Sequence, residues 1–246
     1  MLSVIIITKN AGISIKSCLE SVKFAEEIIV LDSGSTDDTV AICQTYTDKV
    51  YVTDWPGYGK QKNRALAMAK GDWVLSLDAD EYLSSELAQT IRELIQKPSE
   101  YVAYALHRRS SFCGKFIKYG DWSNDYCLRL FKRGHAQFEE IALHERLLVE
   151  GKTAKIKHKF YHDSYPNLAS MLAKMNSYSS LSAEILAEKG KRSSISHALY
   201  RALWRFIRGY FFRLGFLDGK AGFLLALSTA EATFYRYVKL MYLSSK

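Results

Sequence analysis

The first hundred residues alternate short apolar runs with segments that have the spacing of one helix face. Residues 2–7 form an apolar run of strand length, and Ile15, Leu19 and Val22 then recur at helical spacing. By this pattern strands are predicted at residues 2–7, 28–31, 49–53 and 73–77, and helices at about 13–22, 36–46, 60–69 and 85–96. Because buried strands that alternate with helices form a parallel sheet covered on both faces, the chain is predicted to be α/β with a mostly parallel central sheet.

The second half of the chain has a different pattern. Residues 101–160 carry shorter strand candidates, at 101–107 and 153–160, and the chain has helical spacing from about residue 167 onward. No low-complexity tract separates these parts, and the chain contains three prolines. One main domain is therefore predicted over residues 1–165, followed by a helical C-terminal extension over residues 166–246.

The charge of the chain is unevenly distributed. The formal net charge is +8, yet residues 1–100 contain 10 Lys/Arg against 15 Asp/Glu, a net charge of −5, which leaves +13 for residues 101–246. This local excess favours an anionic partner, such as a phosphorylated acceptor, a lipid surface or a nucleic acid. The cysteines form no CxxC pair, and the amino-terminal apolar stretch lacks the basic leader of a signal peptide. We therefore expect a cytoplasmic protein.

Several polar residues follow the predicted strands directly. Asn10, Asp32 and the pair Asp78 and Asp80 fall at the carboxyl ends of strands, where ligands bind in parallel α/β sheets. The two paired aspartates are two residues apart, so in extended geometry their side chains point to the same side. Mg²⁺ or Mn²⁺ held by one or two carboxylates keeps positions open for phosphate oxygens, which predicts a metal site for a diphosphate ligand. The alternative is a pair of solvated aspartates in a turn.

Four ordered motifs make this pattern specific, and they read VIIITKNAG, IIVLDSGSTDDT, GYGKQKNRAL and GDWVLSLDADE within residues 3–81. They resemble the nucleotide-sugar half of family 2 glycosyltransferases in order and separation. The Gln-Lys-Asn block, a later His-Glu and a basic helical tail are most similar to lipopolysaccharide core β-1,4-glucosyltransferases of the WaaE/KdtX type. The resemblance implies a Rossmann-like GT-A fold, with a nucleotide-sugar-binding half over residues 1–98 and an acceptor-side half over residues 99–165.

The resemblance also implies roles for the residues at the strand ends. Asp32 is expected to contact the base of a uridine nucleotide, and Thr8 and Asn10 to line the same pocket. Asp78 is expected to hold the ribose or the metal ion, and Asp80 to hold the metal ion. A UDP-sugar donor and a divalent metal, Mg²⁺ or Mn²⁺, are therefore the expected ligands.

Three cationic residues are further candidates for binding the donor. Lys60 and Lys62 lie near a helix start after two glycines and are expected to neutralise the diphosphate, with a solvated basic helix end as the alternative. Arg129 resembles a family position near the acceptor or the phosphate, with a salt bridge at a strand edge as the alternative.

An inverting sugar transfer needs a base that deprotonates the acceptor hydroxyl as it attacks the anomeric carbon. Glu145, in the His-Glu pair, falls where the family places its acidic base and is the predicted base. The family often has Glu-Asp at this point, so Asp125 remains a rival candidate and Asp121 a weaker one.

The tail interleaves basic and aromatic residues. In residues 198–217, Arg201, Arg205 and Arg208 recur at helical spacing and predict a basic stripe on an interfacial amphipathic helix. Residues 191–246 contain 10 Lys/Arg against 2 Asp/Glu, a net charge of +8. We therefore expect this segment to bind an anionic membrane surface at the inner face of a bacterial inner membrane. The alternative is a soluble helical hairpin with ordinary surface charge.

The predicted function is transfer of glucose from a UDP-sugar to a lipid-linked saccharide acceptor, the lipopolysaccharide inner core. Transfer to a polyprenyl phosphate by the same fold is an alternative. A nucleotide-sugar pyrophosphorylase is another enzymatic alternative. Such enzymes normally have a glycine-rich basic loop after the first strand, and this chain has Thr8-Lys9-Asn10-Ala11-Gly12 there, which argues against that function. A basic nucleic-acid-binding protein is the non-enzymatic alternative, but the acidic first hundred residues argue against a nucleic acid partner. The pattern does not determine an oligomeric state.

Overall fold

The structure is a computed structural model that describes residues 1–140 and 146–244. The chain forms two compact units. The first unit comprises Met1–Arg108 and Asp125–His162, and the second comprises Arg109–Asn124 and Asp163–Lys246. The division predicted at residue 165 stays a prediction.

The described residues form eleven strands and seven α-helices. The strands are β1 (Leu2–Thr8), β2 (Glu27–Asp32), β3 (Val50–Val52), β4 (Trp73–Asp78), β5 (Glu81–Leu83), β6 (Ala103–Phe112), β7 (Lys115–Phe116), β8 (Asp125–Lys132), β9 (Ala136–Phe138), β10 (Leu147–Val149) and β11 (Thr153–Tyr165). The helices are α1 (Ile15–Val22), α2 (Thr39–Gln44), α3 (Tyr58–Met68), α4 (Ser85–Ile95), α5 (Leu168–Glu188), α6 (Ile195–Ile207) and α7 (Gly219–Leu243). The four strands and four helices predicted in the first hundred residues are all present.

The parallel part of the sheet brings the predicted strand ends together. Strands β3, β2, β1 and β4 are adjacent in that order, and all three pairings are parallel. The register places Thr8 opposite Asp32 on one side of β1, and Ile7 opposite Asp78 on the other. Beyond β4, the antiparallel strands β8 and β6 extend the sheet, and β5 pairs antiparallel with β11. The predicted α/β fold class with a C-terminal helical extension is confirmed.

The first unit has a hydrophobic core on each face of this sheet. Alternate residues of β1 point to opposite faces, so Val4 and Ile6 pack with Leu19 of α1, whereas Ile5 packs with Phe131 on the other face. All five side chains are at most 1% exposed. Burial of each such side chain contributes about 1.5–3 kcal/mol, which fixes the register and therefore the positions of the strand ends.

The second unit contains α5, α6 and α7, and the predicted amphipathic segment 198–217 is not one continuous helix. Helix α6 ends at Ile207 and is followed by a π-helical turn, Arg208–Phe212, and a 3₁₀ turn, Gly215–Asp218. The helix breaks because Leu214 adopts a left-handed φ of 59° and because Gly215 packs against the chain, where a Cβ would lie 2.6 Å from the carbonyl oxygen of Gly209. Within residues 1–140 and 146–244, no helix has the length and apolarity to cross a bilayer.

The predicted basic stripe has an internal partner within the second unit. The carboxylate of Asp121, whose side chain is 5% exposed, lies 3.0 Å from Nε of Arg205, 3.2 Å from Nη2 of Arg208 and 3.0 Å from Nη1 of Arg213. The guanidinium of Arg201 lies 5.5 Å from the ring centroid of Tyr237. The arginine charges at 205 and 208 are therefore directed at a buried carboxylate, and the prediction of an open basic stripe is wrong for these two residues. Asp121, the weaker base candidate, is enclosed by arginines.

Candidate functional site

The turn after β2 is organised by Asp32. This residue is fully buried, and its Oδ1 accepts hydrogen bonds from the backbone N–H groups of Gly34 (2.9 Å) and Ser35 (2.8 Å). The Ser35 hydroxyl donates to Oδ2 of the same carboxylate. Gly34 has a φ of +81°, which an L side chain rarely adopts, so the glycine of the DSGS motif permits the turn. Asp32 therefore shapes the carboxyl edge of the sheet, and its predicted contact with a uracil base stays a prediction.

Thr8 and Asn10 continue the same edge. The Oγ1 atom of Thr8 is buried and has no hydrogen-bond partner among the described residues. Asn10 has a left-handed φ of 51°, and its Oδ1 accepts the backbone N–H of Thr36 at 2.8 Å. Its own N–H donates to the Ser35 hydroxyl at 2.8 Å. These bonds tie the loop after β1 to the loop after β2, and they leave a buried hydroxyl that a ligand can satisfy.

A charged cluster lies at the end of β4. Oδ1 of Asp78 is 2.9 Å from Nζ of Lys62, and Oδ2 is 2.7 Å from Nη2 of Arg129. The two cationic side chains are 3% and 9% exposed, whereas the aspartate side chain is 34% exposed. In this cluster the two cationic side chains are therefore buried, and the carboxylate that binds them is accessible to solvent.

Glu81, which the sequence analysis did not single out, completes this cluster. It is fully buried, its Oε1 lies 2.5 Å from Nη2 of Arg129 and 3.8 Å from Nη1 of Arg108, and its Oε2 accepts the N–H of Asp78 at 3.1 Å. The position of Glu81 directly after Asp80 in the DADE motif could have marked it as a site residue. Its ion pair with Arg129 could not have been predicted, because no spacing rule identifies a partner 48 residues away. Glu81 holds Arg129 and the end of β4 in place.

The pKa values of the cluster follow from burial and from these charges. Burial alone raises the pKa of Asp78, but the charges of Arg129 and Lys62 outweigh it and hold the pKa well below its ordinary value. For Glu81, burial dominates and raises the pKa, although Arg129 acts in the opposite direction. Burial also works to lower the pKa of Arg129, but the carboxylates of Asp78 and Glu81 raise it, so this guanidinium remains charged.

Asp80 is less enclosed than its neighbours. Its side chain is 34% exposed, and its Oδ2 lies 3.3 Å from Nε2 of His162. Among residues 1–140 and 146–244, no group of three or more His, Cys, Asp or Glu side chains is arranged to hold a metal ion. Mg²⁺ commonly takes one or two carboxylates and completes its coordination with water and substrate phosphates, so the donor set of Asp80 and its surroundings fits such a shared site and not a protein cage.

The two lysines predicted to neutralise a diphosphate lie in different environments on α3. Lys62 is 2% exposed and takes part in the cluster, whereas Lys60 is exposed. Between them, Gln61 is fully buried and its Nε2 donates to the hydroxyl of Thr53 at 2.7 Å. The structure therefore places Lys62, and not Lys60, among the charged residues of the site.

Helix α3 also holds Phe138 and Glu139, which precede the predicted base in the sequence. The side chain of Asn63 donates to the carbonyl oxygen of Phe138 and accepts its N–H, each at 2.9 Å. A Cβ at Gly59 would lie 2.1 Å from the carbonyl oxygen of Glu139, so only glycine permits this approach. Glu145, the predicted base, lies outside the described residues.

Asp125, the rival base, is engaged in an ion pair. Its Oδ2 lies 2.8 Å from both Nε and Nη2 of Arg108, and the thiol of Cys127 is 3.6 Å from its Oδ1. The side chain is 30% exposed. An acceptor hydroxyl that used Oδ2 as the base would compete with both of these nitrogen atoms.

Four parallel strands with a charged cluster beyond their carboxyl ends define an α/β protein, a class in which ligands bind at that edge. The family model described as Glycosyl transferase family 2 matches residues 3–147, and the chain belongs to this family. The predicted family is therefore confirmed, and with it the class of glycosyltransferases.

The chain is similar to several known proteins. An uncharacterized glycosyltransferase of Rickettsia bellii is 34% identical over 99% of this chain and 87% of its own length. The lipopolysaccharide core biosynthesis glycosyltransferase LpsC of Rhizobium meliloti is 30% identical over 97% of this chain and 91% of its own length. Among solved structures, glucosyl-3-phosphoglycerate synthase from Mycobacterium tuberculosis in complex with Mn²⁺ and UDP-glucose is 25% identical, covers 44% of each chain and has a TM-score of 0.39.

Proposed function

We propose that this chain transfers a sugar from a UDP-sugar to a saccharide acceptor with the help of a divalent metal ion, Mg²⁺ or Mn²⁺. The observation that carries the proposal is the accessible carboxylate of Asp78 between the buried cations Lys62 and Arg129. In a family 2 glycosyltransferase this cluster lies where the diphosphate of a nucleotide-sugar is expected.

The cations of the cluster are suited to a diphosphate. Nε of Arg129 is buried and has no hydrogen-bond partner among the described residues, and a buried donor left unsatisfied costs about 1–3 kcal/mol. A phosphate oxygen satisfies such a donor, so Arg129 and Lys62 bind and orient the leaving group. Glu81 is a positioning residue, because it holds the guanidinium of Arg129 while remaining out of contact with solvent.

The nucleoside and the metal ion are assigned to the neighbouring strand ends. Thr8, Asn10 and Asp32 line the nucleoside side of the edge, and the buried Thr8 hydroxyl offers a hydrogen-bonding group to the ligand. Asp80 and Asp78 would hold the metal ion, and Lys62 and Arg129 would hold the diphosphate. The metal ion supplies charge stabilisation for the diphosphate as it leaves.

Glu145 is the proposed base for the acceptor hydroxyl, because Asp125 already binds Arg108 through two nitrogen atoms. A carboxylate in this role accepts the hydroxyl proton as the oxygen attacks the anomeric carbon, which inverts the configuration at that carbon. The likeness to LpsC, a lipopolysaccharide core biosynthesis glycosyltransferase, supports a lipopolysaccharide core saccharide as the acceptor. Glucose is the sugar that we propose. A lipid-linked acceptor places the enzyme at the inner face of the bacterial inner membrane.

The test is a panel of UDP-sugars with Mg²⁺ or Mn²⁺, in which UDP release is measured with and without a truncated core acceptor. We expect metal-dependent release from UDP-glucose that the acceptor stimulates. Stimulation by a polyprenyl phosphate instead of the core saccharide would replace the proposed acceptor. Absence of UDP release with every sugar and both metals would refute the assignment of the donor.

A further inference from the structure

We infer that the bend between α6 and α7 is a membrane-docking surface that enters the bilayer interface through apolar side chains. We call it the apolar edge and define it by six residues of the segment 203–217, which are Leu203, Trp204, Phe211, Phe212, Phe216 and Leu217. Each of these side chains is between 43% and 68% exposed. The inference deepens the proposed attachment to a membrane and does not depend on sugar transfer.

Ring contacts link most of the apolar edge in two groups, whose members Phe211 and Phe212 are adjacent in the chain. The rings of Trp204 and Phe212 are 5.8 Å apart, which joins α6 to the π-helical turn. The half-buried ring of Tyr210 lies 5.1 Å from Phe211 and 6.2 Å from Phe216, which joins this turn to the 3₁₀ turn. Exposed apolar residues that occur singly are ordinary, but a contiguous apolar surface of this kind marks an interaction site.

The charges around the apolar edge favour an anionic bilayer. Residues 191–246 carry 10 Lys/Arg against 2 Asp/Glu, and Asp121 offsets one further positive charge by binding Arg205, Arg208 and Arg213. Of the two acidic residues, Asp218 is 4% exposed and accepts the N–H groups of Lys118 and Tyr119, and Glu231 is partly buried. Within the described part of this segment, no acidic side chain is classed as exposed. A second copy of the chain would bring the same excess of cations against this surface, so like charges oppose self-association, whereas anionic headgroups complement it.

Ion pairs within the second unit anchor the turn that carries part of the apolar edge. Arg208 and Arg213, on either side of Phe211 and Phe212, both bind the buried carboxylate of Asp121. Leu214 adopts a left-handed backbone conformation that is unfavourable for a bulky residue, and its side chain is 45% exposed. The turn therefore adopts an unfavourable backbone conformation and also exposes aromatic and leucine side chains. We take both features as support for contact with a membrane surface.

The structure also predicts how attachment responds to salt. Because Arg205 and Arg208 bind Asp121, much of the expected attraction must come from burial of apolar side chains and not from the charges of these two arginines. Apolar burial persists at about 1 M salt, where the screening length falls to about 3 Å. We therefore expect attachment to anionic vesicles to weaken but to remain at this ionic strength.

The test is flotation of the full chain with vesicles of phosphatidylglycerol and phosphatidylethanolamine. The variant Phe211→Ser/Phe212→Ser is expected to lower binding about tenfold or more, because each serine removes a large apolar contact. The matched control is Leu168→Ser/Leu172→Ser, which changes two exposed apolar residues of α5 outside the apolar edge and is expected to bind as the unchanged protein does. Thermal unfolding of both variants is the check that each is folded.

Three outcomes would overturn the inference. Flotation of the Phe211→Ser/Phe212→Ser variant equal to that of the unchanged chain would assign attachment to another surface. Failure of the unchanged chain to float would remove membrane attachment altogether. A dimer in solution that the same variant dissociates would show that a second copy covers the edge. UDP-sugar hydrolysis measured without vesicles keeps the two proposals separate, because the docking inference stands if flotation follows the expected pattern in a protein that releases no UDP.

Discussion

Replacement of Lys62 by methionine tests the ion pair at the centre of the candidate site, and Lys60 on the same helix provides the control. Nζ of Lys62 lies 2.9 Å from Asp78, and 3% of the lysine side chain is exposed. Removal of one member of a buried ion pair costs about 3–5 kcal/mol. Because Asp78 is 34% exposed and keeps Arg129 at 2.7 Å, we expect the smaller loss of about 2–3 kcal/mol in the free energy of unfolding.

The assay is urea-induced unfolding combined with thermal unfolding. A loss of this size lowers the melting temperature by roughly 4–12 °C in a chain of this length. The exposed Lys60, changed to methionine, is expected to alter the free energy of unfolding by about 0.5 kcal/mol or less. In a UDP binding measurement, Lys62→Met is expected to weaken affinity about tenfold or more, as loss of one charge-assisted contact does.

The sign of the pH dependence of the free energy of unfolding follows from the pKa of Asp78. The pKa of Asp78 is lower in the folded chain than in the unfolded chain, so its contribution to stability is fully present above about pH 4 and is lost as the pH falls below that value. Lys62→Met removes one of the positive charges that lower the pKa of Asp78. The stability difference between the unchanged chain and the variant should therefore shrink as the pH falls below about 4. Equal stability of the Lys60 and Lys62 variants at neutral pH, or a difference that grows in acid, would refute this reasoning.

Three further predictions follow from the site and from the second unit. Asp80→Asn should abolish metal-stimulated UDP release with little change in melting temperature, and a near-normal metal-dependent rate would exclude it as a ligand. Glu145→Gln should lower transfer by about 10²–10⁴-fold, whereas Asp125→Asn should retain most activity, and the reverse ranking would assign the base to Asp125. Gly222→Ala should lower the free energy of unfolding by about 1–3 kcal/mol, because its Cβ would lie 1.9 Å from the carbonyl oxygen of Gly215. Unchanged urea unfolding of this variant would contradict the close packing of these glycines.

The parallel part of the fold was predictable because its signals are local. Each strand is an apolar run, each is followed by a helix, and the parallel register then brings residue 8 beside residue 32 and residue 7 beside residue 78. The short strand β5 was not predicted, since its three residues carry no periodicity and pair with β11 far along the chain. Likewise, the pairing of β8 with β4 brings Arg129 to Asp78 across 51 residues, which no local spacing indicates.

The role of the tail arginines was difficult to predict for the same reason. Their helical spacing is compatible with a stripe that faces a membrane, and the sequence gives no sign that Asp121 lies between them. A single carboxylate, 87 residues before Arg208, directs these charges into the second unit. Helical periodicity shows which residues share a face, but it does not show whether that face meets solvent, lipid or another part of the chain.

Two carboxylates of this chain are surrounded by cations, and their exposure distinguishes their roles. Asp121 is 5% exposed and is bound by three arginines, so it fixes the positions of these side chains within the second unit. Asp78 is 34% exposed, so a ligand can reach its cations.

A buried ion pair contributes little net stability compared with apolar packing, which makes fold stability alone a weak reason for the cluster around Asp78. A diphosphate that bound Lys62 and Arg129 would replace the carboxylate of Asp78 as their anionic partner, and a divalent cation would then supply a positive partner for Asp78. We therefore expect UDP and the metal ion to bind more tightly together than either binds alone, and equal affinity of Mn²⁺ with and without UDP would contradict this coupling.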